Sequence, residues 1–184
     1  MARIQRVVLI ALCATACSSS SGGGTSGPVK GSVGGQSFSA ADATGLAGQL
    51  TESTGTAYET DVVLTSWSGA CSSLTANSAP PSSGIVFIAV AGAGPVGPGT
   101  YSISPGGAVR AGFVADDATC QVTMQDTAES GTVTYETVTS SSITGSVDAV
   151  FSSGSLQGTF TASVCGVSLA TVTGYTGMSG TCQQ

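Results

Sequence analysis

The chain has 184 residues, 41% of them apolar and only 8% charged, with a formal net charge of −6 and no histidine. That length suits one domain with a sizeable core, and the acidic balance makes nucleic acid and anionic lipid poor partners. Without histidine, Ser-His-Asp hydrolysis, His-assisted cysteine chemistry and histidine-based zinc sites are excluded, and no motif calls for a metal or cofactor.

Arg3 and Arg6 precede the apolar run Val7-Val8-Leu9-Ile10-Ala11-Leu12-Cys13, and Ala14-Thr15-Ala16 stands directly before Cys17. A basic start, a short apolar stretch and small residues at a cleavage point form a secretory signal. A run of about ten apolar residues is half of what a membrane-spanning helix needs. Ala14-Thr15-Ala16-Cys17 resembles the lipobox of bacterial lipoproteins. The resemblance implies that residues 1–16 are removed and that Cys17 is acylated, tethering the chain to a membrane through lipid. Ser18, by similarity to outer-membrane lipoproteins, implies export past the inner membrane to an outer membrane, facing the periplasm or the cell surface.

Residues 17–28 supply a tether: Ser18 to Ser21, Gly22 to Gly24 and Thr25-Ser26-Gly27-Pro28 offer almost nothing to bury. Beyond Cys17 the only basic residues are Lys30 and Arg110, against ten acidic ones. From residue 29 to 184 a single β domain is expected, because polarity comes from 29 Ser and 24 Thr, a composition that favours strands and turns.

Val33 to Phe38 predicts a hairpin around Gly34-Gly35, and Tyr58 to Thr65 a strand carrying Glu59 and Asp61. With Glu52, these carboxylates suggest an acidic pair for sugar hydrolysis, but strand residues two apart share a face and a solvated face is the expected reading. Trp67, the only tryptophan, offers a stacking platform for a sugar or peptide; a core anchor beside Cys71 is the plainer assignment. A short helix is expected at 68–76, with Ala70, Cys71 and Leu74 on one face.

Strands follow at Ile85 to Ala91, Thr100 to Ser104 and Val109 to Ala115. Between the first two, Gly92-Ala93-Gly94-Pro95-Val96-Gly97 matches the dinucleotide fingerprint letter for letter. Pro95 and Pro98 forbid the helix that motif needs, so a loop is expected. Asp116-Asp117 suggests calcium ligation, or a turn held by aspartate side chains. Asp126-Thr127-Ala128-Glu129-Ser130-Gly131 is faintly similar to an aspartic-peptidase loop but has no second copy, which leaves a polar turn.

Cys120, Val122 and Met124 alternate with polar neighbours, as do Val133 and Tyr135. The clearest period-two patterns are Ile143 to Phe151 and Leu156 to Val164, a hairpin across Ser152-Ser153-Gly154. The expected fold is all-β: an antiparallel sandwich or barrel of about 8–10 strands. If Cys13 leaves with the signal and Cys17 carries lipid, Cys71, Cys120, Cys165 and Cys182 remain, an even set that permits three connectivities. Cys71 with Cys120 and Cys165 with Cys182 is the preferred pairing.

The Cys-Ser-Ser-Ser-Ser-Gly-Gly-Gly start, Gly31 to Phe38, Gly145 to Asp148 and Gly158 to Cys165 together resemble the small, cysteine-paired envelope lipoproteins of Gram-negative bacteria, the myxobacteria in particular. The resemblance implies location and fold and no activity. The expected role is a non-enzymatic binding or structural module with an envelope protein or glycan as partner; a carboxylate-dependent hydrolase of wall or extracellular polymer is the alternative. Trp67, Asp116 and Asp117 are the candidate binding residues.

Overall fold

A computed structural model describes residues 27–52, 55–76 and 79–166. Cys17, Cys182 and the signal therefore lie outside the described residues. The first described residues already join the domain, since Thr159 donates to the Gly27 carbonyl through both its backbone N–H and its hydroxyl. Pro28, expected within the tether, bridges to Thr159 in parallel.

Among the described residues eleven strands and one helix follow in order. β1 (Lys30–Val33) and β2 (Gln36–Ser39) make the expected hairpin, with Gly34 and Gly35 at φ of +58° and +80°. Two consecutive left-handed residues define the turn that matches strand twist, and glycine enters that region without strain. β3 (Asp42–Glu52) and β4 (Gly55–Thr65) pair over their full length, followed by α1 (Ala70–Ala76). β5 (Gly84–Gly92), β6 (Gly99–Ile103), β7 (Val109–Asp116) and β8 (Val122–Thr127) come next. β9 (Ser130–Val138), β10 (Ser142–Phe151) and β11 (Gly154–Val164) form the meander that the alternating sequence announced.

All strands belong to one curled sheet, ordered β6-β9-β10-β11-β3-β4-β5-β7-β8, with the β1–β2 hairpin attached to β11. The all-β expectation holds, with two adjustments. The described residues contain one strand more than the upper expected number, and the sheet is mixed: Ser163 and Val164 of β11 run parallel to Thr44 and Gly45 of β3. That short parallel joint links the two antiparallel runs of the sheet. The edge strands β6 and β8 are not hydrogen-bonded to each other, so the sheet curls without closing into a barrel.

Curling brings the two halves face to face. Val62, Leu64, Val86, Ile88 and Phe113 pack in one core with Phe38, Val147, Phe151, Leu156 and Phe160. Each large apolar side chain buried this way contributes roughly 1.5–3 kcal/mol. Phe38 meets Phe113 edge to face at 5.9 Å, and Tyr135 meets Phe160 at 6.2 Å. The Tyr135 hydroxyl donates to the Thr60 carbonyl at 3.2 Å, tying β9 to β4 across the core.

Alternation gives β4 and β5 a second, outward face. There Leu46, Val63, Leu74, Ile85 and Cys165 form a smaller cluster, with Trp67 and Phe87 packed against it. The helix that covers this cluster is fixed by a remote cap: Asp42 Oδ2 accepts from the backbone N–H groups of Gly69 and Ala70 at 2.8 and 2.9 Å. Cys71 on this helix is bonded to Cys165, with a Cα separation of 5.8 Å.

The preferred pairings of Cys71 with Cys120 and of Cys165 with Cys182 are therefore both corrected, and the reason lies in the topology. β11 ends against β3, where the Cys165 N–H donates to the Gly45 carbonyl, and β3 also carries the Asp42 cap of the helix. Cys165 is thus delivered to α1. Cys120 instead lies in the β7–β8 turn with φ of +59°, and is itself disulfide-bonded.

Candidate functional site

The outward face of the sheet holds a groove because of what β5 and β7 lack. Cross-strand register sets Asp61 beside Ala89 and Ala89 beside Arg110; in the next row Val63 neighbours Phe87, Gly112 and then Thr127. Ala89 and Gly112 are too small to fill their places. The resulting cavity of about 260 Å³ is lined by Glu59, Asp61, Phe87, Arg110, Gln125 and Asp126 among others.

Glu59 and Asp61 share a face, as the period of a strand requires. The solvated face expected for them is overturned: Glu59 is 5% and Asp61 8% exposed. Glu59 Oε1 pairs with Arg110 Nη2 at 3.3 Å, the arginine side chain being 56% exposed. Among the described residues Asp61 has no such ion-pair partner. Its Oδ1 is buried without a hydrogen bond, an arrangement that costs about 1–3 kcal/mol even for a neutral group. Burial, with the Glu59 charge beside it, pushes the Asp61 carboxyl up to about 7, and Arg110 only partly opposes them.

The residues singled out in the sequence fare differently. Trp67 is half-buried on the outer cluster near Cys71, its indole N–H donating to Ser73 Oγ at 3.1 Å, and it lines neither this groove nor the depression described next. Asp116 and Asp117 line that second depression, of about 360 Å³, but their carboxylates are already engaged. Asp116 Oδ1 accepts from the backbone N–H and the hydroxyl of Ser83. Asp117 Oδ1 accepts from the Thr119 N–H, the Thr119 hydroxyl and the Gln121 N–H, and these bonds hold its pKa below the usual carboxylate range. That is the aspartate-held turn, and among the described residues no three His, Cys, Asp or Glu side chains are grouped to hold a metal.

The Gly92 to Gly97 segment is irregular beyond β5, as expected, and Asp126 lies at the end of β8, where its Oδ2 accepts from Ser152 Oγ at 2.9 Å. Neither the groove nor the role of Arg110 was foreseen. The available signal was Glu59-Thr60-Asp61, two acids on a strand in a chain with almost no basic residues to oppose them. Comparison with protein families, curated proteins and solved structures finds no match for this chain.

Proposed function

We propose that the chain is a membrane-tethered envelope lipoprotein, held by acylated Cys17, whose β domain is a non-enzymatic binding module for an envelope protein or glycan. The supporting observation is the groove over β4, β5 and β7, where Asp61 offers a buried acceptor that no described residue satisfies. Enclosed depressions with a few convergent polar groups on an apolar floor are the usual form of a ligand site. The tether supports the address and the groove supports the role.

Gly112 provides the test. A Cβ at this position meets nothing closer than the Asp126 carbonyl oxygen at 3.7 Å, so Gly112→Val fills the groove without disturbing the strand. Titrating labelled protein with muropeptide and lipopolysaccharide-core fragments is expected to shift the Ala89, Gly112 and Thr127 amides in the parent but not in Gly112→Val. Shifts that survive the filled groove would place binding elsewhere.

One observation favours the hydrolase as a second reading. Asp61, held protonated toward neutrality, and Glu59, paired with Arg110, line the same groove. A proton donor beside an ionised carboxylate is the division of labour that glycoside hydrolysis uses. Reducing-sugar release from wall polysaccharide that disappears in Asp61→Asn distinguishes this reading from simple binding.

A further inference from the structure

We infer that the groove receives a primary ammonium group, carried by a lysine-type side chain or an amino sugar, which seats against Asp61. The inference deepens the binding reading above by naming the ligand chemistry. Two carboxyl-bearing side chains, Glu59 and Asp61, face the groove against one arginine, and that arginine is already drawn to Glu59. The unmet group is an acceptor, Asp61 Oδ1. A hydroxyl would satisfy its hydrogen bond alone, whereas an ammonium satisfies the bond and offsets the excess negative charge as well. Ala89 and Gly112 leave room for the alkyl stem beside Phe87.

A protonic signature follows from the groups around Asp61. Glu59 on its own strand and the Tyr135 phenol from the opposite half of the fold lie within its electrostatic reach, and among the described residues Arg110 on β7 is the opposing charge. Burial and Glu59 keep the Asp61 proton in place up to about neutral pH. An arriving ammonium favours the ionised carboxylate, so binding below neutrality releases a proton and binding well above it does not.

The experiment is calorimetric titration of the purified full-length chain in two buffers of different ionisation heat, at about pH 6 and about pH 8.5. The probes are Nα-acetyl-lysine methylamide, its Nε-acetylated counterpart, a glucosamine dimer and an N-acetylglucosamine dimer. One of the two amines is expected to bind: the lysine probe with release of close to one proton at the lower pH and none at the higher, the glucosamine dimer, whose less basic amine is largely neutral at the higher pH, with net release at the lower pH and net uptake at the higher. Which amine binds separates peptide from sugar. Asp61→Asn is expected to weaken binding at least about tenfold and abolish the proton release, with Gly112→Val, which keeps Asp61, weakening it comparably.

Equal binding of the acetylated probes, still sensitive to both substitutions, would overturn the ammonium assignment while leaving the groove a binding site. Binding indifferent to both substitutions, or none by any probe, would overturn the assignment and the groove together.

Discussion

Asp61 is a carboxyl whose position lowers the stability of the fold as the pH rises. Its proton is held more tightly in the folded chain than in the unfolded one, where the ordinary value is 3.8. Stability from the protonated form is complete below that value and is lost progressively as the pH climbs to about 7. The span corresponds to roughly 4 kcal/mol. Asp61→Asn, which keeps shape without charge, is expected to leave stability near pH 4 almost unchanged and to raise it by about 2–4 kcal/mol near pH 8, as read from denaturant midpoints. Arg110→Ala has the opposite sign at neutral pH: it leaves Glu59 buried without its cation, at a cost of about 1–3 kcal/mol in the same assay. The sequence disclosed that Glu59 and Asp61 share a face, because period two is local. Whether that face is wet depends on register with β3, β5 and β7, which no local pattern records.

At the scale of elements, α1 is seven residues long and too short to persist alone. Its external supports include the Asp42 cap, the bond from Cys71 to Cys165 and the burial of Ala70 and Leu74. Asp42→Ala is expected to cost about 0.5–2 kcal/mol, the worth of a helix cap, in thermal or denaturant unfolding. Replacing both Cys71 and Cys165 by serine opens a crosslink between residues 94 positions apart and is expected to cost roughly 4–5 kcal/mol in the chain-entropy treatment. The helix was legible near 68–76, as were the strands with large alternating side chains. β3 was not. Its stretch Ala43-Thr44-Gly45-Leu46-Ala47-Gly48 has one large apolar residue, and its place in the sheet comes from a full antiparallel register with β4. The disulfide pairing was equally illegible, since only the topology brings the end of β11 to the helix.

For the whole molecule, the sheet is one curled surface joined through two residue pairs between β11 and β3, so its halves hold together mainly by what lies between them. Tyr135 is a buried polar member of that contact. Tyr135→Phe keeps the ring against Phe160 and removes only the hydroxyl bond to Thr60, so a loss of about 1 kcal/mol in unfolding free energy is expected. The architecture was legible because two long alternating strands and the Ser/Thr-rich composition leave few alternatives to stacked β layers; the joint between the layers was not, because a two-residue parallel contact leaves no periodic trace.

The proposed lipid tether and the disulfides of the β domain are tested together, and most directly, by the intact mass of the protein extracted from membranes. The expected mass lacks residues 1–16, carries added acyl chains at Cys17, and falls short of the reduced chain by the hydrogens of two disulfides. Peptide mapping of the same unreduced sample is expected to link Cys71 with Cys165 and Cys120 with Cys182, the cysteine that remains for it. Loss of residues 1–16 with no acyl mass, or Cys17 recovered in a disulfide, would contradict the account.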